Sequence, residues 1–87
     1  MKLSDKDKKV LLSWGYRKSD LEQIEVATSL TRYEFKGRLI SDAKARSLLG
    51  DEEYLSGISR SAFHWSATRY TPTGEGICFD SSAMFKD

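Results

Sequence analysis

At 87 residues the chain can bury only about 60 to 65% of its unfolded surface, so a few large side chains have to hold its fold together. It carries them along its whole length: Trp14, Trp65, Phe35, Phe63, Phe79, Phe85 and four tyrosines. Each buried ring brings a large apolar area to one core, which argues against intrinsic disorder and leaves room for a single domain. Between these anchors the apolar runs are short. Val10 to Leu12 is as long as they become, against the roughly 18 to 20 residues that cross a bilayer, so no membrane partner is expected.

Local signals divide the chain into short elements. Ser4 caps a helix over 5–14 with Asp5 and Asp7 at its positive end, Val10, Leu11 and Trp14 on one side and Gly15 as the left-handed stop. Ser19 and Glu22 have capping-box spacing and open a second helix through Leu21, Ile24, Ala27 and Thr28, which completes a helical hairpin over 4–30. The period then falls towards two, and Tyr33, Phe35, Leu39 and Ile40 around Lys36-Gly37 predict a β-hairpin over 31–40. Ser41 caps a short helix with Ala45, Leu48 and Leu49 apolar and Gly50 as its end.

Asp51 as N-cap, with Glu52 and Glu53 behind it, starts the longest helix, running to about Tyr70 before Pro72. Tyr54, Leu55, Ile58, Ala62 and Trp65 form its core arc, and Phe63 stands apart from that arc. Gly57 costs about 1 kcal/mol relative to Ala in a helix interior, which implies that something packs close to it. The tail over 71–87 turns at Gly74 and Gly76, and Ile77 and Phe79 suit a third strand beside the hairpin. The expected fold is a single α+β domain of about four helices with a β-hairpin or small three-stranded antiparallel sheet, and a long central helix near residues 51–70.

Charge narrows the function classes. Lys and Arg number 14 and Asp and Glu 13, a formal net charge of +1, so no bulk field selects nucleic acid or an anionic membrane and electrostatic recognition has to be local. The single Cys78 cannot form an intrachain disulfide and no signal-peptide pattern follows Met1, which makes a cytoplasmic protein the expectation. Local basic clustering is present at Arg32, Lys36, Arg38, Lys44 and Arg46, where nucleic acid or an acidic protein surface would dock. The spacing of Ser41, Lys44, Ala45, Leu48, Leu49 and Gly50 matches the first half of a helix-turn-helix, and the preceding hairpin gives it a winged aspect. Asp51, Glu52 and Glu53 fit that reading badly, because the start of a recognition helix faces phosphates.

No motif assigns a reaction. His64 is the only histidine, and its neighbours Ser59, Ser61 and Ser66 on one helix do not supply the convergence that a catalytic triad needs. Cys78 reads as a buried strand thiol. One His and one Cys fall short of a zinc site, no acidic loop specifies Ca²⁺ or Mg²⁺, and Gly74-Glu75-Gly76 lacks the rest of a phosphate loop, so no cofactor and no metal are expected. Arg60, Phe63, His64 and Arg69 have the composition of a protein interface, in which aromatic residues and Arg outnumber Lys and Glu.

The segments Tyr33-Glu34-Phe35-Lys36-Gly37-Arg38-Leu39-Ile40-Ser41, Leu55-Ser56-Gly57-Ile58-Ser59-Arg60-Ser61-Ala62-Phe63-His64-Trp65-Ser66-Ala67 and Phe79-Asp80-Ser81-Ser82 resemble a group of small proteins from phages and mobile elements of Gram-positive bacteria. The resemblance implies a genomic context and gives no residue a role. Small phage accessory proteins often bind a host protein, including effectors of immunity such as CRISPR nucleases. The expectation is therefore a non-enzymatic protein-binding module, an inhibitor or anti-CRISPR factor, using Arg60, Phe63, His64 and Arg69 against a host protein. A homodimer through the same patch is a further option, and a winged-helix-like DNA-binding regulator is the alternative.

Overall fold

Ser4 caps the first helix as expected. Its hydroxyl accepts the Asp7 N–H at 3.1 Å while the Asp7 carboxylate accepts the Ser4 N–H at 3.3 Å, and α1 spans Asp5–Ser13 in the computed structural model, which describes residues 3–82. Gly15, at φ 101°, makes the left-handed turn that lets the Tyr16 N–H return to the Leu11 carbonyl at 3.3 Å. The second helix, α2, spans Lys18–Leu30 and starts earlier than the Ser19 spacing predicts. Arg17 is the cap, and its N–H donates to the Asp20 carboxylate at 2.8 Å; a charged acceptor there competes better than the Ser19 hydroxyl.

The hairpin forms where the two-residue period placed it, as β1 (Arg32–Phe35) and β2 (Arg38–Ile40). Lys36 (φ 53°) and Gly37 (φ 77°) both take positive φ, the type I′ geometry whose twist matches that of the flanking strands. Ser41 then caps α3 (Asp42–Leu49), accepting the Lys44 N–H at 3.1 Å. Gly50 alone, at φ 89°, turns the chain into α4 (Asp51–His64), so Asp51 is the first residue of that helix and Gly50 its cap.

The long helix over 51–70 does not form. It ends at His64, Trp65 reverses the chain with φ 73° and ψ −41°, and Ser66–Tyr70 becomes β3, paired along its length with β4 (Gly76–Asp80). The pairing decides the outcome: Ala67 lies opposite Phe79 and Arg69 opposite Ile77, so the segment bonds its backbone to a strand supplied by the tail. Trp65 leaves the core arc with that reversal and is 59% exposed.

β4 also pairs with β1, Tyr33 opposite Phe79 and Phe35 opposite Ile77. The sheet order is β2-β1-β4-β3, so the expected third strand is present, β3 adds a fourth, and the last of the described strands is internal. Strand alternation buries Tyr33, Ala67, Ile77 and Phe79 under the helices and leaves Glu34, Leu39, Thr68 and Cys78 on an open face. Cys78 is therefore exposed and not buried, because its register sets it between two inward neighbours. Met84 and Phe85 lie outside the described residues.

Three arrangements hold the layers together. Tyr54, Leu55, Ile58 and Ala62 of α4 are at most 1% exposed, as the core arc predicts, and Phe79 sits against the Gly57 backbone so closely that a Cβ there would lie 2.5 Å from Cζ of the ring. Arg46 of α3 joins the N-termini of two other helices: Nη1 and Nη2 donate to both Asp7 oxygens at 3.1 and 2.7 Å, and Nε donates to Asp51 at 3.0 Å. The fully buried Ser81 donates its hydroxyl to Ser61 at 3.0 Å, meets the Thr31 hydroxyl at 2.5 Å and donates its N–H to the Trp65 carbonyl at 2.6 Å.

Candidate functional site

Gly15 sets the site by turning the chain between α1 and α2 so that Trp14 and Tyr16 stand over α4. Tyr16 stacks on the half-buried Phe63, with centroids 6.1 Å apart and ring planes 10° apart. Together with Ser56, Ser59, Arg60 and His64 of α4, these aromatics line a groove of about 460 Å³. Arg69 closes one side of it, coming from β3 and not from the helix assumed in sequence. Its Nε donates to Ser56 Oγ at 2.9 Å and its Nη1 to the Thr68 carbonyl at 2.7 Å, which fixes the guanidinium at the rim.

All four residues expected at a partner surface, Arg60, Phe63, His64 and Arg69, thus share one groove. Trp14, Tyr16 and Asp20 also line it; Trp14, expected on the apolar side of the first helix, is exposed, and none of the three was expected in the groove, although an aromatic on each side of a helix-ending glycine could have flagged the first two. The Asp20 carboxylate is occupied by the Arg17 N–H at 2.8 Å and the Arg17 Nε at 3.6 Å. Arg60 and Arg69 outnumber it, so the lining of the groove is net basic.

The second basic cluster does not converge. Arg32 lies on the open face of β1, whereas Arg38 shares the face of Phe35, its partner across the hairpin. Lys36 reaches Glu75 at 2.6 Å and lies 5.2 Å from the Phe35 ring centroid, which holds the Glu75 carboxyl below the usual range. Lys44 is exposed on α3 and Arg46 is bound by Asp7 and Asp51. The α3–α4 pair has the fully buried Ala45 that a close crossing needs. Its link is Gly50 alone where a helix-turn-helix uses a turn of about three or four residues, and α4 is buried against the sheet.

Catalytic pairings are separated. Cys78 sits on the open face and His64 ends α4 on the helical side, while the Ser59 and Ser61 hydroxyls donate to the Ser56 and Ile58 carbonyls at 3.1 and 3.2 Å. Partial desolvation of its sulfur by neighbouring side chains first, then the nearby Glu34 and Asp80 charges, push the Cys78 thiol up. The thiolate form is disfavoured, so alkylation of Cys78 in the folded protein is expected to be slower at pH 8 than in the unfolded chain and to keep rising to higher pH than it does there; equal rates at pH 8 by mass spectrometry would contradict it. Among the described residues, no group of three or more His, Cys, Asp or Glu could hold a metal ion, and no helix is long and apolar enough to cross a membrane. No protein-family model, curated protein or solved structure matches the chain.

Proposed function

We propose that the chain is a non-enzymatic protein-binding module that receives its partner in the groove between the α1–α2 corner, α4 and β3. It acts as a phage or mobile-element accessory protein in the cytoplasm of a bacterial host and inhibits a host protein, such as a CRISPR nuclease or another defence effector. One observation carries the binding reading: Arg60, Phe63, His64 and Arg69, brought together from two elements, are joined in one groove by Trp14 and Tyr16. Trp, Tyr and Arg are the residue types that dominate binding energy at interfaces, and no Lys or Glu lines this groove. The genomic half of the reading rests on the resemblance of the three segments named above.

The regulator reading comes second, because the first turn of α4 carries Asp51, Glu52 and Glu53 and the five basic residues are spread over separate faces. It predicts duplex binding that weakens steeply with salt.

The test is capture from lysate of a Gram-positive host after nuclease treatment, with wild type, Phe63→Ala and Arg60→Glu compared at equal fold content by circular dichroism. A stoichiometric protein held by wild type is expected to bind each variant about 30-fold more weakly. Capture unaffected by both substitutions overturns the groove as the docking site, and recovery only of nucleic acid that salt removes moves the function to the regulator.

A further inference from the structure

The sheet has two free edges among the described residues, and they are unequal. Hydrogen bonding alternates along an antiparallel strand, so each residue of an edge strand points its N–H and C=O either into the ladder or away from it. The Ser81 N–H donates to the Trp65 carbonyl at 2.6 Å and the Thr71 N–H to the Glu75 carbonyl at 2.9 Å, which makes 65/81 and 71/75 bonded pairs. With Ala67 opposite Phe79 and Arg69 opposite Ile77, the odd-numbered residues of β3 bond to β4 and Ser66, Thr68 and Tyr70 direct their backbone groups outward. The same alternation leaves only Leu39 facing outward on β2, where Phe35 pairs with Arg38 and Tyr33 with Ile40. β3 is thus the edge with more outward groups, and it contains no proline, lysine or bulge; its one charge of the kind that blunts edges is Arg69.

This edge and the groove meet at Arg69. Its side chain leaves the strand towards the helices, reaches Ser56 on α4 and shares the groove with Arg60, one turn further along that helix. Its Nη1 donates to the outward Thr68 carbonyl at 2.7 Å, which takes one lone pair of that oxygen and leaves the other. We infer that an extended acidic segment of the partner adds to β3 as a fifth strand, with its backbone on Ser66, Thr68 and Tyr70 and its alternate carboxylates on Arg69 and Arg60. The inference rests on the groove reading above and names its mode of recognition, in which the main chain supplies affinity and alternate side chains supply specificity. Charge selects the occupant: a second copy adding its own β3 would bring Arg60 and Arg69 against the same residues, whereas an acidic strand neutralises them.

The test uses a capped peptide of alternating Thr and Asp, the same peptide N-methylated at its threonines, and an alternating Thr and Lys peptide, each titrated into the full chain and followed by amide NMR. Threonines face β3 in the antiparallel register, so N-methylation removes the strand hydrogen bonds and keeps every carboxylate. The expected result is saturable shifts and slowed exchange at Ser66, Thr68 and Tyr70 with the Thr-Asp peptide, at least about tenfold weaker binding after N-methylation, and none with the Thr-Lys peptide. Thr68→Pro, which deletes an outward N–H and none that bonds to β4, is expected to fold and to lose the interaction. Equal binding of the N-methylated peptide, with shifts confined to the Trp14 indole and Arg69, overturns strand addition and leaves the groove as the site. Absence of any shift also overturns it, while the groove reading is judged separately by the Phe63→Ala capture.

Discussion

Gly57→Ala is expected to destabilise the protein by about 2 kcal/mol, although alanine is the better helix former by about 1 kcal/mol. The added Cβ would lie 2.5, 2.7 and 2.8 Å from three atoms of the Phe79 ring, and that ring cannot retreat. It is fully buried, with Tyr33 edge-on at 5.3 Å and Tyr54 at 6.1 Å between centroids. For a domain of this size the loss corresponds to a fall in Tm of roughly 8 to 16 °C. Shrinking the ring should remove the conflict: in a Phe79→Leu background the same Gly57→Ala change is expected to cost less than about 0.5 kcal/mol. Denaturant unfolding of the four variants measures this coupling, and additive costs would mean that the two residues are not in contact.

Arg46→Ala has the second large effect, a loss of about 3 kcal/mol at pH 7, because it strands the Asp7 carboxylate, whose side chain is 6% exposed. In the native protein the Arg46 hydrogen bonds, aided by those from Ser4, hold the Asp7 carboxyl below its ordinary value of 3.8 against the opposing effect of burial. A carboxyl depressed by folding contributes stability that is complete above its unfolded value and is lost as pH falls through its folded one. The wild type therefore loses the contribution below about pH 4. In the variant, burial is opposed by the Ser4 hydrogen bonds without the guanidinium, Asp7 protonates more readily and its unpaired charge disappears. The gap between the two proteins is thus expected to narrow on acidification, and urea titrations at pH 7 and pH 3 read it directly. A gap that does not change with pH would assign the Arg46 effect to packing over the Tyr54 ring, 5.1 Å away, and not to Asp7.

Capping explains how much of the fold was legible. Ser4, Ser41, Gly15 and the Lys36-Gly37 turn act within a few residues of themselves, and each element they delimit is where the sequence put it. Residues 66–70 were misread because both a helix and a strand suit Ser-Ala-Thr-Arg-Tyr taken alone, and the deciding partner, Gly76–Asp80, lies beyond a turn. The candidate site survived that error. Arg69 faces Ser56 from the strand, so it reaches the groove by a route that helical periodicity did not supply. Trp14 and Tyr16 were missed as groove residues because their position depends on the direction of the Gly15 turn. Arg46 shows the converse: among other cations it reads as part of a basic patch, yet its acceptors are Asp7 and Asp51 at the ends of two other helices, an arrangement visible only once those helices are packed.

The internal position of β4 sets the order in which this domain can be made. During synthesis α1 to α4 and the β1–β2 hairpin are all polymerised before the strand that separates β1 from β3. Until Gly76–Asp80 appears, Tyr33 and Ala67 have no Phe79 to face and β3 has no ladder to join. The β1–β2 hairpin is local, whereas joining β3 to it needs β4 and so carries the long-range closure that slows folding relative to local helix formation. A chain truncated before Gly76 is therefore expected to lack the cooperative unfolding transition of the 87-residue chain, although every helix of the described fold precedes the cut.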